Sequence, residues 1–139
     1  MKNLVTLMVV GMVVTSATFA SGFKCDATDD SGYSAKLFNH VSGATRTPAV
    51  LVVSNRDASP STLLKVDGEE IRKTNRANTV RYTVDGNSKT ADQVILQISF
   101  KEGREVIEAG ESADAQLIFV TEGQRDVVPM ECVRYLKNN

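Results

Sequence analysis

Along residues 93–101, read QVILQISFK, apolar and polar side chains alternate. Val94, Leu96, Ile98 and Phe100 share one face, while Gln93, Gln97, Ser99 and Lys101 fall on the other. A period of two with one apolar side is the mark of a half-buried β-strand. TVRYTV repeats it, with Val80, Tyr82 and Val84 inward and Thr79, Arg81 and Thr83 outward. In YSAKLFN, Tyr33, Ala35 and Leu37 alternate with Ser34 and Lys36. AVLVVS (residues 49–54) and AQLIFVT (residues 115–121) are apolar on both faces and are expected to be central or doubly covered strands.

The connections carry turn chemistry. In LLKVDGEEI, Asp67-Gly68 predicts a type I′ hairpin that sets Lys65 opposite Glu70 and Leu64 opposite Ile71. Asp85-Gly86, Glu102-Gly103 and Glu122-Gly123 predict further turns. Pro48 and Pro60 stand just before strands, and Pro129 inside the last one predicts an edge or a bulge there. EVIEAGESADA has room for one short helical turn, and no other segment is helical in pattern. About eight short strands, with turns every ~8–12 residues, define an all-β chain: a small antiparallel barrel or sandwich.

The first residues change the picture. Lys2, the apolar run Leu4 to Val14, and small residues up to Ala20 form a secretory signal. Cleavage after Ala20 divides the chain into residues 1–20 and a single β-domain of residues 21–139. The apolar run is short for a membrane span, so no stable anchor is expected once the signal is removed. An exported chain, periplasmic or extracellular, meets oxidising conditions, in which two cysteines read as one disulfide. Cys25 and Cys132 are the only cysteines, and their bridge would clasp the first strand to the last. Lys24 directly before Cys25 does not fit a lipidation site, and no CxxC redox pair exists.

Charge narrows the partners. Residues 21–139 hold 15 basic and 17 acidic side chains, net −2. That balance argues against a nucleic-acid binder, which shows a strong basic excess, and against a general binder of anionic membranes. No interleaved aromatic platform for single-stranded nucleic acid exists either.

Candidate chemistry is sparse. In DATDDSG, Asp26, Asp29 and Asp30 offer oxygen ligands of the kind calcium takes. Their spacing departs from the D-x-D-x-D-G loop, and Asp, Ser and Gly also build turns; the turn is the reading adopted. His40 is the only histidine; with Ser42 two residues on it could be written into a hydrolytic triad, but no local signature supports one. One histidine and two paired cysteines leave too few ligands for zinc. Glu69-Glu70, as neighbours on a strand, would point to opposite faces and could not share acid–base work. No cofactor motif is present. The distinctive surface feature is IRKTNRANTVR, whose Arg72, Lys73, Arg76 and Arg81 form a cationic loop suited to an anionic partner.

Size and cysteine clasp resemble those of small exported barrels that inhibit lysozymes or proteases. Ser31-Gly32-Tyr33 lacks the second half of the lysozyme-inhibitor motif, and the chain has no tryptophan, so no family follows. The expectation is a monomeric, non-enzymatic binding module for a protein, glycan or small ligand. The alternatives are a carrier whose interior, lined by residues such as Val94 and Leu96, holds an apolar molecule, and a structural component of the cell envelope.

Overall fold

The computed structural model describes residues 19–40, 49–76, 78–86, 91–100 and 109–138. Nine strands account for almost all of them. They are β1 (Phe19–Ala27), β2 (Tyr33–His40), β3 (Ala49–Asn55), β4 (Thr62–Val66), β5 (Ile71–Arg76), β6 (Thr79–Asp85), β7 (Gln93–Ser99), β8 (Ser112–Thr121) and β9 (Gln124–Asn138). They form one antiparallel sheet in the order β4-β3-β2-β1-β9-β8-β7-β6-β5. Cleavage after Ala20 would remove only the first two residues of β1.

The order consists of two meanders. One runs outward from β1 to β4; the other returns from β5 to β9, and β9 pairs with β1. The direction of each strand then follows by counting. Every ladder is antiparallel, so β4 runs opposite to β1 by one route and β5 runs opposite to β1 by the other. β4 and β5 therefore point the same way. They are two halves of one broken strand, the first pairing with β3 and the second with β6.

That parity overturns the hairpin expected at Asp67-Gly68. Asp67 stays extended at φ −96° and ψ 169°, and residues Gly68–Glu70 form a single 3-10 turn that passes the chain on without reversing it. The Glu70 N–H donates to the Asp67 carbonyl at 2.9 Å. Leu64 pairs with Val53 and Lys65 with Val52, while Ile71 pairs with Val84. Gly68 is not among the glycines with positive φ. The two-residue turn with positive φ at both positions lies instead at Glu122 (51°) and Gly123 (82°), joining β8 to β9. The Asp92 carboxylate accepts the Glu122 N–H at 2.8 Å and helps hold that residue in its left-handed conformation. Gly86 (φ 68°) also turns the chain as expected, whereas Glu102-Gly103 and Pro48 lie outside the described residues. Of the expected helical turn, residues 105–108 also lie outside them, and Ser112 onward is strand.

Pro129 is likewise not at an edge. β9 is a central strand, flanked by β1 and β8. The Pro129 carbonyl accepts the Thr28 N–H at 2.9 Å, one residue beyond the last β1 partner, Ala27. A strand residue turns its N–H and C=O to the same side. The donor that proline lacks would thus have pointed toward Thr28, which is exposed at the end of the β1 ladder.

The inner face holds the core. Val80, Tyr82, Val84, Val94, Leu96, Ile98 and Phe100 are all buried, as their alternation predicts, and join Phe23, Leu37, Leu51, Val53 and Leu117 in one cluster. The sheet curls enough for rings from distant strands to meet inside it. Tyr33 of β2 lies 5.1 Å from Phe119 of β8, and Phe23 of β1 lies 6.2 Å from Phe100, just past β7. The strands are staggered as curling requires. Following partners sideways from Val66 leads to Arg134 on β9, whereas following them from Ile71 leads to Asp126. β8 is buried on both faces only at its centre, where outward-facing Ile118 is as buried as inward-facing Leu117, while Asp114 and Gln116 on the outer face are exposed. Thr83, read as outward and polar, is buried on that same outer face, between Arg72 and Ile95.

Cys25 and Cys132 are register partners in the β1–β9 ladder, and their sulfurs are bonded. The bridge sits, fully buried, on the ladder that joins the two meanders.

One glycine is dictated by close approach. A Cβ on Gly22 would run into the Leu37 carbonyl oxygen. Above it on the outer face, Phe38 and Tyr135 flank Gly22 from the two neighbouring strands, and their rings meet edge to face at 5.9 Å. Aromatic neighbours that cover a strand glycine restore the packing it lacks.

Candidate functional site

The basic segment is not a loop. It is the β5–β6 hairpin, with β5 as an edge strand of the sheet. Ile71 faces inward and half-buried, and every following residue of β5 is exposed. Alternation divides the cations. Arg72 and Arg76 lie on the outer face, opposite Thr83 and Thr79, whereas Lys73 lies opposite the buried Tyr82 with its ammonium 6.0 Å from the ring centroid.

Besides Lys73, two more of the four are engaged within the sheet. Arg72 donates to Asp85 at 2.8 Å, and Asp85 also accepts from Gln93 at 2.5 Å. Arg81, half-buried on β6, donates through Nε to Gln97 at 2.5 Å. These contacts fix the direction of Arg72 and Arg81 and leave the tip of β5, around Arg76, as the outermost cation. The Arg72–Asp85 pair is more than half exposed on both sides, so solvent screens it and it adds little to stability.

The DATDDSG stretch builds a corner rather than a cage. Asp26 is on the outer face of β1, paired across the ladders with Glu131 and Ser34. Asp29 accepts the Ser31 N–H at 3.0 Å. The nearby Ser31 hydroxyl and that N–H hold the Asp29 carboxyl below its ordinary pKa, although the hydroxyl is buried without a hydrogen-bond partner of its own. Carbonyls of the same turn receive the next loop: Asn55 donates to Ser31 at 3.1 Å, the Arg56 N–H to Gly32 at 3.1 Å, and the Arg56 guanidinium to Asp30 at 3.5 Å. That docking explains the polar composition. Among the described residues, no three His, Cys, Asp or Glu side chains gather as a metal site would need.

His40 ends β2 opposite Ala20; its imidazole and Ser42 lie outside what is described. Glu69 and Glu70 sit exposed in the 3-10 turn, not on a strand. Sequence reading missed Arg134, an inward-facing arginine paired with Phe23. Its guanidinium carbon stands 5.1 Å from the Phe23 centroid, and its Nε is buried without a hydrogen-bond acceptor. The alternation of Met130, Cys132 and Arg134 along β9 was the available signal.

No family model, curated protein or solved structure matches this chain.

Proposed function

We propose that the protein is an exported, disulfide-clasped β-domain that binds an anionic macromolecular partner through the β5 edge, without catalysing a reaction on it. The observation that supports this reading is the exposed run from Arg72 to Arg76 on a strand paired on one side only. An edge strand offers unpaired backbone groups to an incoming chain, and its cations select an acidic one. The interior supports this surface reading over the carrier, because the side chains that would line a ligand cavity are packed against one another. Export rests on the leader at residues 1–20 and accords with the buried disulfide.

The test uses the chain, produced with its disulfide formed, as bait for envelope and secreted fractions, beside an Arg72→Glu/Lys73→Glu/Arg76→Glu variant. A partner rich in acidic residues that the wild type retains and the variant loses supports the reading. Equal retention by both removes β5 from consideration.

A further inference from the structure

A second charged surface becomes visible only through strand register. On the outer face Lys24 of β1 stands directly opposite Lys36 of β2. Beyond Lys36 the same row continues to Val52 and then Lys65, and on the other side of Lys24 it continues to Val133, which is 39% exposed, and to Ser112 on β8. All three lysines are exposed, and none of them makes an ion pair or hydrogen bond among the described residues. One step along the strands, toward the β1–β2 turn, the row is acidic: Asp26 stands opposite Glu131, which stands opposite Asp114. One step the other way it is apolar and aromatic, with Val50, Phe38 and Tyr135 around Gly22.

Like charges placed directly opposite destabilise a sheet, and opposite charges there stabilise it. Both charged rows forgo that gain. Along the strands the rows follow the sequence of a membrane interface: Phe38 and Val50 at one end, cations in the middle at phosphate depth, carboxylates at the other end toward water. We infer that this face of β1 and β2 docks on an anionic lipid surface, with Lys24, Lys36 and Lys65 at the headgroups and the half-exposed Phe38 on the bilayer side of them. The site is separate from β5 and does not depend on the role proposed there.

The test is co-sedimentation of the purified chain with vesicles of phosphatidylcholine alone or of phosphatidylcholine mixed with phosphatidylglycerol. Binding is expected only to the anionic vesicles and should fade as salt is raised. A lysine near such a surface contributes about fivefold in affinity, so Lys24→Gln/Lys36→Gln should lower binding about 25-fold. Lys24→Arg/Lys36→Arg should retain it. The Gln variant removes a repulsion, so its urea midpoint should stay level or rise, which separates lost docking from lost folding. Equal binding to both vesicle types, no binding to either, or undiminished binding by the Gln variant overturns the proposal. So does displacement by millimolar inorganic phosphate, which would assign the lysines to a small anion instead.

Discussion

Removing the clasp tests the architecture most directly. The Cys25–Cys132 bond closes a loop of sequence separation 107 across the ladder that joins the two meanders. In the folded chain the β1–β9 hydrogen bonds hold these strands together with or without sulfur. The bond therefore acts chiefly on the unfolded chain, whose ends it keeps from separating. Loop-closure entropy for that length is worth about 5 kcal/mol at room temperature. Replacing two fully buried sulfurs with alanine methyls adds on the order of 1 kcal/mol for the space left behind. Domains of this kind have a total stability of about 5–15 kcal/mol, so Cys25→Ala/Cys132→Ala should leave a marginal fold. With a urea slope of about 1.5 kcal/mol/M, the midpoint should fall by roughly 3–4 M, read by far-ultraviolet circular dichroism. Dithiothreitol should move wild type most of the way and the variant not at all. A fall under about 0.7 M, or about 1 kcal/mol by the same slope, would refute the reasoning. The chain ends would then stay together in the unfolded state without the bond.

Other consequences are smaller. Gly22→Ala should cost about 1–3 kcal/mol in a melting experiment, because its methyl meets the Leu37 backbone rather than a side chain that can yield. Glu122→Asn should raise stability by about 0.5 kcal/mol, since asparagine tolerates the φ of 51° better than glutamate; an unchanged melting temperature would count against strain there. Lys36→Glu turns the repulsion with Lys24 into an attraction and should stabilise by about 0.2–1 kcal/mol, less in high salt. Burial raises the pKa of Tyr135 above 10.0 in the fold, so the unfolded chain loses that proton first. Its contribution is intact below the unfolded value and is lost as pH climbs through the folded one. Tyr135→Phe should flatten the alkaline limb of the pH–stability curve.

Much of the fold was legible because alternation is a local signal. QVILQISF and TVRYTV state their inner faces residue by residue, and those faces are the ones buried. Cysteine parity and an apolar leader were enough to expect the clasp. The failures share another cause. Asp67-Gly68 satisfies every local rule for a reversal, yet the number and direction of the ladders around it require the chain to continue. Pro129 reads as an edge residue until the β1 ladder is seen to stop one residue short of it. Arg72, Lys73, Arg76 and Arg81 were grouped by proximity in the chain; the strand then sends Lys73 to the Tyr82 side and ties Arg81 to Gln97.

Net charge misleads for the same reason. A sum near −2 describes a chain whose charges could be mixed evenly, and even mixing would suit the sheet, because cross-strand neighbours of opposite sign stabilise it. Register shows the reverse. Exchanging Lys36 with an acidic residue would relieve Lys24, and exchanging Glu131 with a basic one would relieve both Asp26 and Asp114. A sheet shaped by its own stability alone has no reason to keep both rows of one sign. Substitution can therefore separate stability from docking. If Lys36→Glu makes the chain more stable and abolishes vesicle binding, the lysine row is held against the interest of the fold by what it touches. If it stabilises and leaves binding intact, Lys36 has no part in docking, and the segregation is an accident that the clasped sheet is stable enough to carry.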